Sequence, residues 1–583
     1  MAWQPPNKPA VTLKNSSAEA MSKNERIKLA SQGLFYVDPD GGVTFRDEVD
    51  ALSAGSAETL SNSAKELSKF FGVYKQQGRG ERGKKLQDFF FMLRIKSPTG
   101  GLLSKQQWLA LDAAADRFAD GTIRITSRQS IQYHHVYGPK LAPLVRHLNR
   151  EYRQGGTLAA CGDVNRNVMG SPIDGLAPGA DPRGGELAEA IAEELAPRTS
   201  AYFQVFLSDE VGRATQPINP EEPLYGELYL PRKFKVGIAH PGDNAVDLRS
   251  QDVGLLPVDA NGEVWDLWSG GGMGMTHNKP ETAPLLAEYL GRIRRAQVVA
   301  AIRAIVILQK ENGERKDRRQ ARWKYTIRRL GLDAVRKELR ERFEIDLEPA
   351  EALPLPAMQL HHGWNELRAG GGWYGISVES GRLKGAQREA VRDVVETFGC
   401  QVRLTPQQDL LLVGVPDARS VEEIFREHFA VLPDEVSLAR RNAMACPAKP
   451  TCGLAMTDAE GVLPSYLDAI EAAGLGDIDV VIRMTGCPNM CARPPTAEIG
   501  IYGYGKNDHV ILVGGSREGT RIGKTLYPRL AGEDMIPALV GLFRAIREHN
   551  SEGLPAGDFL DRTDPEDLRR WIGLGYEDAG TGV

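Results

Sequence analysis

Two short stretches of this chain bring cysteines close together. ACPAKPTCG, Ala445 to Gly453, holds Cys446 and Cys452 in a C-x5-C spacing, and TGCPNMCA, Thr485 to Ala492, holds Cys487 and Cys491 in a C-x3-C spacing. These are four of the six cysteines in 583 residues. Thiols so placed leave three chemistries open: a disulfide framework, a zinc site or an iron–sulfur cluster. The N-terminus, MAWQPPNKPAVTLKNSS, lacks the apolar run of a secretory signal, so a cytoplasmic location is expected, where thiols stay reduced. Six cysteines are also too few for a disulfide scaffold in a chain of this length. Zinc pairs usually sit in tighter knuckles, and a gap carrying Pro447 and Pro450 is wide for one. An iron–sulfur cube also takes four thiolates and needs roomier loops. Spacing alone favours the cube and leaves zinc open.

A second set of residues is basic. FMLR supplies Arg94, RITSRQ supplies Arg124 and Arg128, DVNRN supplies Arg166, and LPRKFK supplies Arg232, Lys233 and Lys235. Any one of these, taken singly, reads as a solvated face. Together they suit anions: the planar guanidinium fork matches a carboxylate, and the compact ammonium matches a small oxyanion. One part of the chain is thus suited to anions and the other to a metal.

The elements that must position these residues show a pattern. From Asp88 the order is an apolar strand, a Pro-Thr-Gly-Gly turn, and a helix with Trp108, Leu109, Leu111, Ala115 and Phe118 at helical spacing. TIRITSRQSIQYHHV then alternates as a strand. The same order recurs from Gly372 to Val415, where RLTPQQDLL matches RITSRQSIQ and Arg403 matches Arg124. ACGDVNRNVMGSP after the first copy answers to MACPAKPTCGLAM after the second, and LPRKFKVGIA answers loosely to RMTGCPNMCA. The chain is therefore an α/β protein built by internal duplication. Two such halves facing each other across a pseudo-two-fold axis predict a cleft for a large ligand. Before them stands a polar N-terminal arm that reads as ending in a helix, SAKELSKFFGVYKQ.

Bulk composition excludes several classes. A net charge of −5 is no footprint for a nucleic-acid binder, and the basic motifs lack the interleaved aromatics of single-strand binders. No apolar run is long enough to span a membrane. SGGGMGM, Ser269 to Met275, is a weak dinucleotide-loop signal without the strand–helix unit such a loop requires. No flavin or nicotinamide site is expected, so electrons must come from another protein. The competing reading is a zinc-stapled protein without catalysis, which metal analysis separates from an iron protein.

RRNAMACPAKPTCGLAM followed by RMTGCPNMCARPPTAEIG resembles the cluster signature of the siroheme sulfite and nitrite reductases, and the resemblance runs from about residue 65 to 565. It implies ferredoxin-like half-domains at 66–150 and 346–430, and siroheme- and cluster-binding domains at 151–345 and 431–583. The arm is 1–65. It implies that Cys446, Cys452, Cys487 and Cys491 hold a 4Fe-4S cluster and that Cys491 also bridges to siroheme iron. Arg94, Arg166, Lys233 and Lys235 would surround the substrate. Arg124, Thr126, Arg128, Gln132, His134, Asn165, Asn167 and Arg232 would serve the siroheme carboxylates. The glycine run would let backbone lie close to the macrocycle.

Within this family sulfite reductases tend to carry Lys, and nitrite reductases Asn, at the position of Lys235. The implied reaction is therefore six-electron reduction of sulfite to hydrogen sulfide, with reduction of nitrite as the alternative. The arm stretch NERIKLASQGLFYVD resembles the ferredoxin-dependent branch, with a flavoprotein donor as the alternative. Some ferredoxin-dependent members join a Tyr to a Cys beside the siroheme. Tyr74 and Cys161 are the residues that could do so, and a buried thiol is the plainer reading of Cys161.

Overall fold

The computed structural model describes residues 36–38, 43–79, 85–179, 181–198, 201–207, 223–226 and 229–574. Most of the NERIKLASQGLFYVD stretch lies outside the described residues. The chain forms a mixed α/β structure of two compact units. The first gathers the residues up to Gly272 together with Pro280–Leu432, and the second gathers Met273–Lys279 together with Pro433–Val583.

The first unit contains both ferredoxin-like half-domains and shows the duplication directly. One five-stranded sheet is built on Val73–Arg79, Lys85–Arg94, Ile123–Ile125 and Ile131–Val136, the other on Gly363–Glu366, Gly372–Ile376, Gln401–Leu404 and Leu410–Val415. Each sheet takes its fifth strand from the other copy. Arg382–Leu383 pairs with Ile123–Ile125, and Leu102–Leu103 pairs with Gln401–Leu404. Glycine makes both crossings possible. A Cβ on Gly101 would stand 2.7 Å from the Leu404 carbonyl, and one on Gly381 would stand 2.6 Å from the equivalent Ile125 carbonyl. Both glycines also have positive φ, 73° and 71°.

The helices beneath these sheets form as their patterns predict. Lys105–Phe118 starts at a Ser104–Gln107 capping box and buries Trp108, Leu111 and Ala115. Its partner from the second copy, Gly385–Phe398, meets it through a buried ion pair. Arg388 Nε donates to Asp112 Oδ1 (2.6 Å) and its Nη1 to Asp116 Oδ1 (2.6 Å), with Asp112 and Arg388 side chains 4% and 5% exposed. Removing one partner strands the other charge, so Arg388→Ala is expected to destabilise this unit by about 3–5 kcal/mol. The check is the first transition in urea unfolding followed by fluorescence. A midpoint unmoved from the wild type would refute it.

Two local expectations are corrected. The helix ending the arm spans Asn62–Ser68 with a 3-10 turn at Lys69–Phe71, and Gly72 at φ +77° stops it, so Val73–Gln76 is strand. TIRITSRQSIQYHHV is not one strand but a hairpin. The Thr126 N–H donates to the Ser130 carbonyl (2.8 Å) across a tight turn with Gln129 at φ +52°. The second copy turns identically at Gln408, φ +74°. Neither turn carries a glycine, which is why the pattern reads as continuous strand.

Each unit also holds a five-stranded sheet of one topology. In the first, Met169–Gly170, Val236–Ile238 and Val253–Pro257 run parallel, followed by antiparallel Val264–Ser269 and Glu288–Arg294. In the second, Ala443–Ala445, Ile482–Thr485 and Ile499–Gly503 run parallel, followed by antiparallel Asp508–Val513 and Lys524–Ala531. The register corrects the loose match of LPRKFKVGIA to RMTGCPNMCA. RNVMGSP aligns with RNAMACP, so VGIA aligns with the strand Ile482–Thr485. PRKFK enters its strand, whereas GCPNMC leaves the equivalent one. The two copies load opposite ends of the strands in two sheets of equivalent topology.

Candidate functional site

Parallel pairing gathers the basic motifs of the first unit. Asn165 bridges Phe234, and the Arg166 N–H donates to the Phe234 carbonyl (3.0 Å), so NRN and PRKFK share the entering edge of their strands. Arg166 is braced by the Gly162 carbonyl, which accepts from Nε at 3.1 Å and Nη2 at 2.9 Å. Arg232 lies 3.9 Å from Asp163, which also takes a two-pronged contact from Arg318 at 3.0 Å. Burial brings the Arg232 pKa down to about 10, with Arg318 adding to it against the pull of Asp163.

The half-domain sheet supplies the rest. Register places Arg94, Gln132, Arg124 and Arg382 side by side across four strands. With its amide oxygen toward the guanidinium, Gln132 accepts from Arg94 Nε at 2.8 Å. Arg94 Nη1 donates to Cys161 Sγ (3.1 Å), and its guanidinium carbon lies 6.0 Å from the Tyr74 ring centroid. Arg128, on the hairpin tip, donates to Gln251 Oε1 (2.8 Å) and to the Asn167 carbonyl (2.5 Å). The Thr126 hydroxyl accepts from the Arg128 N–H (3.3 Å), shaping that tip.

The charges of this cluster act on one another. Burial pushes the Lys235 ammonium well below its usual range, and Lys233, Arg128 and Arg322 push it further, against Asp252. Burial raises the Cys161 thiol, but Arg94, Arg166, a hydrogen bond with Tyr74 and Lys233 reverse that and leave it below its ordinary value. Cys161 is buried and Tyr74 half-buried, and each lies close enough to shift the titration of the other.

Among the described residues, several buried polar atoms have no hydrogen-bond partner: both side-chain amide atoms of Asn167, Oδ1 of Asn165 and, further along the sheet, both ring nitrogens of His134. Buried polar groups are rarely left unmatched. The cations suit a ligand that brings several carboxylates, and the unmatched amide oxygens, which accept, call for donors on the ligand or on water beside it. The expected residues Arg94, Arg166, Lys233, Lys235, Arg128, Asn165, Asn167 and Arg232 are brought together. Arg124 and His134 sit further along the sheet, where burial lowers the His134 pKa well below its usual value and Arg382 adds to that.

Sequence reading missed the segment Arg318–Tyr325. Arg322 Nη2 lies 3.1 Å from both oxygens of Asp252, and Lys324, fully buried, donates to the Gly272 carbonyl (2.9 Å). ERKDRRQARWKYTIRR is a dense run of charge that reads as a solvated helix face, and only the fold turns part of it inward.

In the second unit the parallel strands bring the two cysteine loops to one edge. Cys446 leaves the strand Ala443–Ala445, and its N–H donates to the Met484 carbonyl (3.1 Å). Cys446 Sγ accepts from the Gly486 N–H, and Cys487 Sγ accepts from Asn489 Nδ2, both at 3.4 Å. Gly486 marks the crossing of the two loops. A Cβ there would stand 2.5 Å from the Thr457 carbonyl and 2.6 Å from Ala448 Cβ. Cys446 and Cys487 are buried, Cys452 is half-buried and Cys491 is exposed.

The neighbouring thiols act on Cys446 and Cys487. Burial and then Cys491, with Cys487 and Cys452 behind it, raise Cys446 well above the ordinary thiol range. Burial and then Cys491 push Cys487 up to about 12. Four thiols this close suit a positively charged iron core that takes them as thiolates and relieves that repulsion. Among the described residues no three His, Cys, Asp or Glu side chains group around a single-ion position. Cys400 is buried elsewhere in the first unit and takes no part.

Glycines of the Ser269–Met275 run meet protein rather than open space. A Cβ on Gly271 would stand 2.2 Å from the Arg249 carbonyl, and one on Gly274 would stand 2.9 Å from the Asn489 carbonyl.

A family model described as "Nitrite and sulphite reductase 4Fe-4S domain" matches residues 161–347. One described as "Nitrite/Sulfite reductase ferredoxin-like half domain" matches 83–151 and 365–427. The chain is 37% identical to a sulfite reductase [NADPH] hemoprotein beta-component of Chromohalobacter salexigens, over 94% of this chain and 96% of that one. It is 38% identical to a sulfite reductase [ferredoxin] of Synechococcus elongatus, over 87% and 85% respectively. Its fold matches the solved structure of the Mycobacterium tuberculosis NirA protein with a TM-score of 0.78 at 24% identity, covering 96% of this chain and 99% of that one. Among the described residues, no helix is long and apolar enough to cross a membrane.

Proposed function

Because the chain belongs to the nitrite and sulfite reductase family, in its sulfite reductase branch, we propose that it reduces sulfite to hydrogen sulfide in six electrons with a siroheme and a 4Fe-4S cluster as cofactors. Cys446, Cys452, Cys487 and Cys491 would hold the cluster, and Cys491 would also serve the siroheme. Arg128, Asn165, Asn167 and Arg232 serve the siroheme carboxylates, joined by Arg124, Thr126, Gln132 and His134. When bound, the two groups would relay electrons from the external donor and provide the metal at which sulfur is reduced.

The protein's own residues supply charge and protons. Arg94, Arg166, Lys233 and Lys235 hold the sulfite oxygens, and fixed cations in a dry pocket stabilise charge that develops as each S–O bond breaks. Every oxygen leaves as water, so protons must be delivered, and Lys235, whose ammonium burial holds well below its usual range, is suited to give one up. The observation that carries the sulfite reading is the Lys233–Lys235 pair beside Arg166 on one strand edge. An added cation favours sulfite, which carries more negative charge near neutral pH than nitrite.

The electron donor is proposed to be a ferredoxin. Relatives named for NADPH and for ferredoxin both stand near this chain, so the donor is tested separately by supplying each in turn. The test of the reaction is turnover by the holoprotein with a reduced viologen dye. A higher kcat/KM for sulfite than for nitrite is expected. The reverse order would retain the cofactors and overturn the reading of the anion pocket.

A further inference from the structure

The segment Met273–Lys279 belongs by its contacts to the cysteine unit although it comes from the first copy of the duplication. It is the tip of a loop whose stems are pinned. Gly272 and Leu285 exchange two backbone hydrogen bonds, 2.7 and 3.0 Å. Lys324 Nζ donates to the carbonyls of both Gly272 and Ala283, one on each stem. Gln320 Nε2 holds the Glu281 carbonyl at 2.9 Å.

The tip lies against the C-x3-C loop. The Met275 N–H donates to the Pro488 carbonyl (2.9 Å), and a Cβ on Gly274 would stand 2.9 Å from the Asn489 carbonyl. His277 meets Tyr504 edge to face with ring centroids 4.9 Å apart. Pro488 and Asn489 are the residues between Cys487 and Cys491 that this tip touches, and the Asn489 side chain donates to Cys487 Sγ (3.4 Å). The loop that carries two thiols is therefore gripped on its backbone by a strap from a distant part of the chain. Groups that fix a ligand from behind tune a metal centre almost as strongly as the ligands do.

We propose that Met273–Lys279 is a positioning element for the Cys487–Cys491 loop, presetting the separation of those two sulfurs and the hydrogen bond from Asn489. This rests on the reading of the four cysteines as cluster ligands. Gly274 is glycine because any side chain would push the Asn489 carbonyl away and turn Cys487 and Cys491 with it.

The experiment compares holoprotein Gly274→Ala, His277→Ala and Gly453→Ala with the wild type. Gly453 adjoins Cys452 but has open space around it, nothing lying within 4 Å of an added Cβ, so it is the control. Iron per chain, the EPR signal of the reduced cluster, its midpoint potential and the rate of bleaching in air are measured. Gly274→Ala is expected to shift the EPR line and the potential and to speed bleaching several-fold. His277→Ala should move the same readouts in the same direction by less, while Gly453→Ala matches the wild type. A wild-type signal and potential in both Gly274→Ala and His277→Ala would overturn the inference. If Gly274→Ala does not fold, His277→Ala decides alone. Wild-type protein that carries zinc or no iron would instead overturn the cluster reading, and the inference with it.

Discussion

Cys487→Ser should leave a folded protein that has lost its iron–sulfur spectrum and its sulfite turnover. Cys487 is buried, takes a hydrogen bond from Asn489, and is raised to about 12 by burial and by Cys491. Such a sulfur becomes a good ligand only when a metal core displaces its proton. A serine hydroxyl is harder, binds iron more weakly and gives up its proton less readily. Losing the support around a ligand typically lowers metal affinity or activity 10–100-fold, so losing the ligand itself should lower turnover by more than about 100-fold. Iron per chain and the EPR signal of the reduced protein are the direct readouts. Cys400→Ser is the matched control, because that thiol is buried away from the set. If Cys487→Ser kept its iron and its rate, the assignment of these cysteines would fail.

The second large effect is expected at Lys235. Replacing it with methionine keeps much of the side-chain volume and removes the charge, and kcat/KM for sulfite should fall by about 10²–10³, the usual loss for one fixed donor to a developing oxyanion. Lys235→Asn should move the ratio of kcat/KM values toward nitrite. An unmoved ratio would rule out Lys235 as the source of specificity.

A pH effect follows from the same group. Without an anion, burial and then Lys233, Arg128 and Arg322 hold the Lys235 pKa well down. A bound sulfite raises it again, so binding draws a proton onto the protein, and sulfite affinity should weaken as pH rises through the depressed pKa. Lys235→Met should flatten that dependence. Calorimetry in buffers of different ionisation enthalpy reads the proton uptake directly.

Much of this was legible from residue types and order alone. The paired cysteine spacings, the prolines between them and the recurrence of RITSRQSIQ as RLTPQQDLL are local facts that need no coordinates. The helix Lys105–Phe118 declares itself through its capping box and apolar spacing, because both act within a few residues. The sequence by itself therefore determined which residues have the chemistry, and that the chain is built twice.

Only the tertiary structure decided what those residues meet. The exchange of strands between half-domains depends on pairing between residues far apart, such as Arg124 with Arg382. That PRKFK enters its strand while GCPNMC leaves the equivalent one became clear only from the register of parallel neighbours. Arg322 and Lys324 read as solvated because local charge density carries no sign of burial, yet the fold places them against Asp252 and Gly272. Gly274 was one glycine in a run until Asn489 arrived beside it. Local patterns record the short-range forces that make helices and turns. A long-range contact leaves its mark on each partner separately, as a small residue here or a lone charge there, and that mark becomes readable only when the partners are brought together.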